Sequence, residues 1–424
     1  MSSLDMRREL VDTLLRIYQC KMTTTSGGNL SIRDAVGDTW ITPTRVDKGC
    51  LRQEDIVCIR ANGSIDGLHP PSSEYPFHLE IYSLRPDIKA IVHAHPVALV
   101  AHSVAHRPPD LSLLPMARHI CGRVGLAPYA MPGSAELGKS IAAVFAQGAD
   151  CVIMENHGVV IGGSSLADAF RRFETLETCA AIAIAASQLG PVHSLTPQQI
   201  ALADRQAPVI GDLPVELSAR EKQTIDDLCR FIRRGNSQRL FTSTQGSFSA
   251  RIDTESFVIN CRGADRKTID ASGIALIRSG RCEKGKQPSS TAAIHDAIYR
   301  RHEHARAVIL ASPVHATAFA LANAKLATRA LPESYLFLKD IATIPFERFA
   351  TSPQAVAQAL SPQQPAALIG HEGVAVTGKS ILDAFDRLEV LENTAQALLL
   401  SRQMGRNFTI SDQDIELLAQ KFQI

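Results

Sequence analysis

The sequence predicts two α/β domains in tandem, each with a largely antiparallel sheet, from its length, its internal repetition and the order of its elements. The chain has 424 residues, too many for one ordinary domain and enough for two of roughly 200 residues. Three segments recur at offsets of 215 to 218 residues: 25–33 matches 243–251, 71–96 matches 288–313, and 168–177 matches 383–392. Such self-similarity indicates duplication. Within each copy, short strands precede interleaved helices and strands, as in layered α/β domains.

The helices and strands of the first copy follow from periodicity and turn residues. An amphipathic helix is predicted over about residues 5–22, with a counterpart over about 219–234 in the second copy. Short strands bounded by Gly, Asn and Asp follow at NLSIR, TWIT and DIVCIRA. The remaining elements are a helix from about Glu74 to Leu84, a strand AIVHAH, a helix from about Ala135 to Phe145, strands around CVIM and GVVIG, and a long helix from about Ser165 to Leu189.

The join between the two copies is expected where this periodicity fails, in residues 191–216. The first domain is then predicted over 1–214 and the second over 215–424. Each domain would keep the same order of an opening helix, short strands, and alternating helices and strands.

Composition excludes several classes of partner and location. The formal net charge is +1 with no basic block, so no nucleic-acid partner is predicted. The longest apolar stretch, around residues 180–186, is too short to cross a bilayer, so no membrane association is expected. Charged residues near the N-terminus argue against a signal peptide. Nine widely spaced cysteines without a C-x-x-C motif favour reduced thiols and a cytoplasmic protein.

Three histidines form the strongest functional signal. His93 and His95 are two residues apart in a predicted strand, so their side chains point to the same face. His157 follows a second apolar strand and precedes a glycine, as a ligand at a strand end would. Three neutral imidazoles leave coordination positions open for substrate, which is the pattern of a catalytic zinc site. Taken alone, however, His93 and His95 could simply end a half-buried strand.

A carboxylate, Glu74, completes the candidate set. It follows Ser72 and Ser73 at the start of a predicted helix, where the helix N-terminus stabilises negative charge. Alternatively, it is an ordinary acidic residue of a first helical turn. The second copy favours the functional interpretation, because all four side chains are replaced there: Thr291, Leu310, Ser312 and Glu372 stand at the positions of Glu74, His93, His95 and His157.

Two residues of the same region persist in both copies. His78 and Tyr82 match His295 and Tyr299. Residues that are retained where the ligands are lost serve the fold rather than the metal. We therefore interpret His78 and Tyr82 as packing residues, and the second domain as a degenerate copy without metal chemistry.

Six short motifs of the first half, taken in order, resemble the class II aldolase and adducin family. They are GGNLS at 27–31, ITPT at 41–44, SSE at 72–74, HAHP at 93–96, APYAMPG at 127–133 and ENHG at 155–158. The resemblance covers essentially all of the first half and, more faintly, the second. It implies two tandem class II aldolase-like domains, each with three α/β/α layers around a mainly antiparallel central sheet, the first catalytic and the second degenerate.

The resemblance implies a divalent-metal-dependent lyase of the aldolase type. His93, His95 and His157 would bind the metal, with Zn²⁺ expected and Mn²⁺, Co²⁺ or Fe²⁺ as alternatives. Glu74 would be the fourth ligand in the resting enzyme and the catalytic acid/base once substrate displaces it. The metal would stabilise an enediolate derived from a small carbonyl compound, anionic or phosphorylated.

The resemblance also implies an anion pocket, which in this family commonly holds a substrate phosphate. The matching residues are Gly28, Asn29, Thr42, Thr44, Ser72 and Ser73. Backbone N–H groups of a glycine-rich turn and of a helix N-terminus suit an oxyanion, although the same residue types also cap helices and form turns. Arg45, with Lys48 nearby, stands where the family usually has glycine. It would either clamp a carboxylate or phosphate or block the usual phosphate position.

A second departure concerns the proton donor. Leu114 stands where the family's aldolases have a tyrosine acid, and Arg118 and His119 follow closely as alternative donors. A metal-dependent decarboxylase of a keto or aromatic acid, or a dehydratase or epimerase of the same fold, therefore stands beside the aldolase. Outside the enzymes, the alternative is an adducin-like interaction module. The family further implies a homo-oligomer with a pseudo-fourfold ring of domains.

Overall fold

The computed structural model describes residues 3–203, 211–405 and 407–422 and divides into two compact units. One unit comprises Met1–Leu111 with Met116–Ala181, and the other comprises Ser112–Pro115 with Ile182–Ile424. The chain forms two sheets, one from each copy of the repeat, which confirms the tandem α/β organisation. The domain boundary between 214 and 215 stays a prediction, because residues 204–210 of the joining segment lie outside the described residues.

The elements of the first copy follow the predicted order. They are α1 Ser3–Gln19, β1 Asn29–Arg33, β2 Thr39–Ile41, β3 Val57–Ile59, β4 Ile65–Asp66, α2 Tyr75–Leu84, β5 Ala90–Ala94, α3 Val97–Val104, α4 Pro115–Cys121, β6 Val124–Ala127, α5 Ala135–Ala146, β7 Cys151–Met154, β8 Val159–Gly163 and α6 Leu166–Ser187. The first helix ends a turn earlier than predicted, because Lys21 has a φ of 56° and leaves the helical region.

The first sheet has eight strands in the order β4-β3-β2-β1-β5-β8-β7-β6. Its neighbouring strands are antiparallel except β6 and β7, which confirms the mainly antiparallel sheet. At the centre, His93 of β5 lies opposite Asn29 of β1 on one side and opposite Val160 of β8 on the other. The start of β1 and the end of β5 therefore lie side by side.

Helices cover both faces of this sheet. On one face, α2 and α5 pack together over Ile91 and Val160, through an apolar cluster that includes Phe77. Successive strand residues point to opposite faces, and the neighbours Val92 and Ile161 are fully buried as well. An antiparallel sheet whose alternate residues are all buried is covered on both sides, which is the three-layer arrangement expected from the sequence.

The second copy repeats this plan. Its elements are α7 Pro197–Ala203, β9 Asp212–Leu213, α8 Ala219–Ser237, β10 Ser247–Arg251, β11 Ser256–Asn260, β12 Ile274–Arg278, β13 Arg281–Glu283, α9 Ala292–Arg301, β14 Ala307–Ala311, α10 Val314–Leu321, α11 Pro332–Leu338, β15 Ile341–Ile344, α12 Phe346–Thr351, α13 Pro353–Ala359, β16 Ala366–Ile369, β17 Gly373–Gly378, α14 Ile381–Gln403 and α15 Asp412–Phe422. The order β10-β14-β17-β16-β15 in its nine-stranded sheet reproduces β1-β5-β8-β7-β6 of the first. Of all the helices in the described residues, none has the length and apolar character needed to span a membrane.

Candidate metal centre

The three predicted histidine ligands converge at one end of the first sheet. His93 is the fourth residue of β5, His95 follows directly after that strand, and His157 lies in the turn between β7 and β8. One ligand nitrogen from each ring lies within 4.8 Å of the others. The ring centroids are 4.8 Å apart for His93 and His95, 5.1 Å for His93 and His157, and 5.2 Å for His95 and His157. The antiparallel strands β5 and β8 thus bring together histidines that are more than 60 positions apart in the sequence.

Glu74 lies against this triad, at the N-cap of α2. Its Oε2 is 3.1 Å from Nε2 of His93, and its Oε1 is 3.5 Å from Nε2 of His157. Only 12% of the side chain is exposed, so the carboxylate faces the imidazoles rather than solvent. The structure therefore brings all four predicted ligands together. An ordinary acidic residue of a first helical turn would not need to be buried against two histidines.

The unpartnered atoms of these side chains fit a divalent cation. His93 Nδ1 lies 3.0 Å from the carbonyl oxygen of Val159, to which it donates, so its Nε2 faces Oε2 of Glu74. His93 Nε2, His95 Nε2 and Glu74 Oε1 are all buried without a hydrogen-bond partner in the described structure. One proton cannot satisfy all three, whereas a metal ion with nitrogen and oxygen ligands can.

The protonation states also suit metal binding. Burial lowers the pKa of His95 to about 3, and burial together with the neighbouring His93 lowers the pKa of His157. Burial alone would raise the pKa of Glu74, but His93, His157 and the side-chain amide of Asn29 hold it well below its usual value. The lowered pKa values of His95 and His157 favour the neutral imidazole and that of Glu74 favours the ionised carboxylate, which are the forms that bind metals.

Ser103 on α3 supports the turn that carries His157, and the sequence reasoning missed it. Its hydroxyl donates to the carbonyl oxygen of Met154 at 2.7 Å and accepts the backbone N–H of His157 at 2.9 Å. Ser103 is fully buried. The only sequence signal was internal, because the equivalent position in the second copy is Ala320, where no ligand follows.

Close packing around His95 requires a glycine. A Cβ atom on Gly27 would lie 3.0 Å from Nδ1 of His95 and 2.8 Å from Oγ1 of Thr24. The second copy has Gln245 in place of Gly27, together with Ser312 in place of His95. The loss of the histidine and the gain of a side chain on the opposing turn thus go together.

The segments predicted to form the anion pocket lie next to one another. The backbone N–H of Ser72 donates to the carbonyl oxygen of Thr42 at 3.2 Å, and that of Thr44 donates to Pro70 at 3.2 Å. Thr42 Oγ1 accepts the N–H of Leu30 at 3.1 Å. Ser72 Oγ accepts the N–H of Glu74 at 3.3 Å. The hydroxyl of Ser72 is therefore engaged in a local turn before α2, and that of Thr42 in a bond to β1.

The other predicted anion-binding residues differ in accessibility. Gly28 has a φ of 73° and leads into β1. Ser73 and Arg45 are exposed, and Thr44 is half-buried. Arg45 has a φ of 58°, a left-handed conformation that favours glycine and costs a larger residue about 1 kcal/mol or more. Such a backbone suits the glycine that the family resemblance implies at this position. Anion binding by this set stays a prediction.

Asn29 has both ends of its side-chain amide engaged. Its Nδ2 donates to Oε2 of Glu74 at 2.9 Å, and its Oδ1 lies 2.5 Å from Nε2 of His78. Asn29 is 2% exposed. Its side chain is thus turned toward the carboxylate and away from solvent.

The residues considered as proton donors are divided between buried and exposed positions. Leu114 is buried and carries no acidic proton, and Arg118 and His119 are exposed on α4.

Lys48, which lies near Arg45 in the sequence, is buried in the structure. It is 1% exposed, donates from Nζ to the carbonyl oxygen of Pro43 at 2.7 Å, and has its pKa lowered to about 8 by burial. Its contact is with the loop that follows β2.

The second copy keeps the backbone of the site without its ligands. Thr291 caps α9 with φ −90° and ψ 8°, close to the −96° and 5° of Glu74 at α2. Ser312 Oγ donates to the carbonyl oxygen of Glu372 at 2.7 Å. Burial raises the pKa of Glu372 to about 7. Within the described residues, the histidine triad of the first copy is the single group of three or more side chains placed to hold a metal.

Comparison with known proteins agrees with this organisation. The model of a family described as Class II Aldolase and Adducin N-terminal domain matches residues 8–184 and again residues 226–399. The chain is 34% identical over 164 residues to an L-fuculose phosphate aldolase of Methanococcus maripaludis, covering 39% of this chain and 88% of the relative. It is 34% identical over 179 residues to a 3-oxo-tetronate 4-phosphate decarboxylase of Haemophilus influenzae, covering 41% of this chain and 85% of that one.

Among solved structures, an L-fuculose 1-phosphate aldolase is 32% identical, with a TM-score of 0.45, and the match covers 48% of this chain and 95% of that chain. The two family matches together span most of the 424 residues and coincide with the two copies of the repeat. The chain therefore belongs to the class II aldolase and adducin N-terminal domain family and contains that domain twice.

Proposed function

We propose that the first copy is a divalent-metal-dependent lyase of the aldolase type, acting on a small carbonyl compound that is anionic or phosphorylated. The observation that carries this proposal is the convergence of His93, His95, His157 and Glu74, with buried, unpartnered ligand atoms. Zn²⁺ is the proposed metal because the donor set is rich in imidazole, with Mn²⁺, Co²⁺ and Fe²⁺ as alternatives.

Each residue has a distinct task in this proposal. The three imidazoles would hold the metal, which when bound supplies a Lewis acid that stabilises negative charge developing on substrate oxygen. Glu74 is ionised and keeps Oε1 without a hydrogen bond, so it is suited to accept a proton from the substrate. Asn29 restrains the other oxygen, Oε2, and thereby limits rotation of the carboxylate.

The anion would bind where Ser73, Thr44 and Arg45 lie, beside the N-terminus of α2. Backbone N–H groups at a helix start favour negative charge, and Arg45 adds a guanidinium. Substrates with a phosphate or carboxylate remote from the reacting carbonyl suit this arrangement.

The decarboxylase is the second candidate. Leu114 supplies no proton donor where aldolases of the family have a tyrosine, and Arg45 offers a clamp for a carboxylate. One relative is named as a 3-oxo-tetronate 4-phosphate decarboxylase. Dehydration and epimerisation are further possibilities for a site that abstracts a proton next to a carbonyl.

Location and assembly are also proposals. All nine cysteines are thiols, which supports a reducing compartment such as the cytoplasm. A homo-oligomer with a pseudo-fourfold ring of domains is proposed from the family and is tested by light scattering in solution. A monomer with full activity would contradict it.

Metal content is the first test. The purified chain should carry about one zinc-like ion, and His93→Ala should lose it, because removal of one of three imidazoles opens the site. The matched control is Leu310→Ala at the equivalent position of the second copy, which should leave metal content unchanged. Two ions per chain, or none in freshly purified protein, would contradict the assignment, and none would favour the adducin-like interaction module.

A substrate screen is the second test. Phosphorylated and unphosphorylated hydroxy- and keto-acids and ketose phosphates would be incubated with the metal-loaded protein. Release of an aldehyde identifies aldol cleavage, and release of CO₂ identifies decarboxylation. Turnover that is independent of a remote anionic group would contradict the proposed substrate class.

A further inference from the structure

Five polar side chains form a continuous hydrogen-bonded chain that ends at Glu74. Tyr82 OH and Ser31 Oγ are 2.7 Å apart, Ser31 Oγ and His78 Nδ1 are 2.7 Å apart, His78 Nε2 and Asn29 Oδ1 are 2.5 Å apart, and Asn29 Nδ2 and Glu74 Oε2 are 2.9 Å apart. We call these five residues the polar chain. Its first four members are at most 2% exposed, so each can be satisfied only by its neighbours.

The direction of each hydrogen bond follows from the side-chain amide of Asn29. Its nitrogen only donates, so Nδ2 donates to Oε2 of Glu74, and Oδ1 faces Nε2 of His78. Oδ1 only accepts, so Nε2 of His78 carries the hydrogen. Burial lowers the pKa of His78 to about 3, so the ring is neutral and its Nδ1 accepts from Ser31. Ser31 in turn accepts from Tyr82, and every donor therefore points toward the carboxylate.

The second copy has the same start and a different end. Ser249 Oγ lies 2.7 Å from Tyr299 OH and 2.6 Å from His295 Nδ1. His295 Nε2 lies 2.7 Å from Ser247 Oγ, to which Thr291 Oγ1 donates at 2.7 Å. The Tyr–Ser–His part is thus common to both copies, whereas an amide that leads to a carboxylate exists only in the first.

We infer that His78 is a positioning residue, which acts through Asn29 to hold the Glu74 carboxylate in place beside the histidine triad. The inference rests on the proposed function and deepens it. The Nε2–H of His78 prevents the Asn29 amide from rotating, and a fixed amide keeps one N–H directed at Oε2. The remaining oxygen, Oε1, then stays turned toward His157, at 3.5 Å from its Nε2.

This role explains one feature that packing leaves without a reason. The first copy has Asn29 where the second has Ser247, and each lies within hydrogen-bonding distance of Nε2 of its histidine. An asparagine accepts from His78 through Oδ1 and at the same time donates to the carboxylate through Nδ2.

The second copy supplies the variants for a test. Asn29→Ser introduces the residue that already pairs with a histidine in the second copy, so the fold should tolerate it while Glu74 loses the Nδ2 donor. His78→Leu removes the start of the restraint. The controls are Ser247→Asn and His295→Leu, which make the matched changes where no metal ligand follows. The readouts are the zinc dissociation constant, measured by competition with a chromogenic chelator, and the Tm of the metal-free chain.

Asn29→Ser and His78→Leu should each weaken zinc binding about tenfold, which is typical of lost support to a metal ligand. His295→Leu should lower Tm about as much as His78→Leu and leave zinc affinity unchanged. The double variant Asn29→Ser, His78→Leu should lose no more affinity than the weaker-binding single variant, because both changes act along one path.

Zinc affinity equal to that of the parent in both single variants would overturn the positioning role alone. Additive losses in the double variant would overturn action through Asn29. A parent chain that binds none of Zn²⁺, Mn²⁺, Co²⁺ and Fe²⁺ would overturn the proposed function, and this inference with it.

Discussion

The two copies of the domain differ in what their shared scaffold supports. Both begin a helix with the same backbone at Glu74 and Thr291, and both bury a tyrosine, a serine and a histidine in one hydrogen-bonded group. In the first copy this group leads through Asn29 to a carboxylate and three imidazoles. In the second copy it ends at hydroxyls. The comparison separates the side chains that the fold requires from those that only metal chemistry requires.

The two copies also differ in the turn at residues 244–246, which corresponds to the glycine-rich turn beside His95 in the first copy. Arg266, at the position of Lys48, is 2% exposed and donates to the carbonyl oxygens of Thr244, Gln245, Gly246 and Ala264. Lys48 makes a hydrogen bond to Pro43 instead. Five guanidinium donors in a fixed fork hold a loop more rigidly than one ammonium group. In the second copy a buried guanidinium thus fixes the turn at 244–246, whereas the corresponding lysine of the first copy contacts a different loop.

The largest effect is expected at the carboxylate itself. Glu74→Gln keeps the shape of the side chain but cannot take up a proton, so kcat should fall about 10² to 10⁴-fold with little change in Tm. Thr291→Gln at the matched helix start should leave kcat unchanged. The rates would be measured with whichever compound the substrate screen identifies. An unaltered kcat in Glu74→Gln would remove this residue from the chemistry.

Restoring the ligands of the second copy tests the role of its loop. The combination Thr291→Glu, Leu310→His, Ser312→His and Glu372→His should leave metal content near one ion per chain, because a Cβ opposite the second imidazole crowds its ring, as the 3.0 Å distance at Gly27 indicates. Adding Gln245→Gly should raise the content toward two ions. Metal content would be measured by plasma mass spectrometry. A second ion bound without the glycine would show that the ligands alone distinguish the copies.

Ser103 should have a smaller effect on the metal site. Ser103→Ala leaves the buried N–H of His157 and the carbonyl of Met154 without this partner, and zinc affinity should fall about tenfold. The reciprocal change, Ala320→Ser, should leave affinity unchanged because no ligand follows it. Competition with a chelator measures both variants. Equal affinities for Ser103→Ala and the parent would confine Ser103 to packing.

The smallest effect concerns Glu372, at the position of His157. Its pKa is raised by burial from 4.5 to about 7, so its contribution to stability is complete below pH 4.5 and is lost as pH rises through 7. Glu372→Gln removes this loss. Because the side chain is only half-buried, the free energy of unfolding of Glu372→Gln should rise relative to that of the parent by about 1 kcal/mol between pH 5 and pH 8. This corresponds to a few degrees in Tm.

Thermal unfolding of the metal-free proteins at pH 5 and pH 8 measures this difference. His295 has the opposite pH dependence. Burial lowers its pKa to about 3, so its contribution to the free energy of unfolding is larger at high pH than at low pH. A Tm difference between Glu372→Gln and the parent that is the same at both pH values would contradict the prediction.

Most of the fold and the core of the candidate site were predictable from local patterns. The duplication, the order of elements and the start of α2 at Glu74 follow from periodicity and from turn and cap residues. The convergence of His93 and His95 follows from the two-residue period of a strand. The domain boundary and the anion-binding residues stay predictions.

The surroundings of the site were not predictable in the same way. His78 and Tyr82 were interpreted as packing residues because they persist in the second copy, and Ser103 was missed. Their roles depend on hydrogen bonds between residues 47 to 54 positions apart in the sequence. Such pairs meet only because α2 lies against β1 and α3 against the turn after β7.

The sequence by itself thus determined the two domains and the candidate ligands, since strand alternation and helix capping act over a few residues. Only the tertiary structure decided which buried groups hold those ligands in place. A buried polar atom must find its partner wherever packing brings one, and neither the distance along the chain nor the residue type reveals that partner in advance.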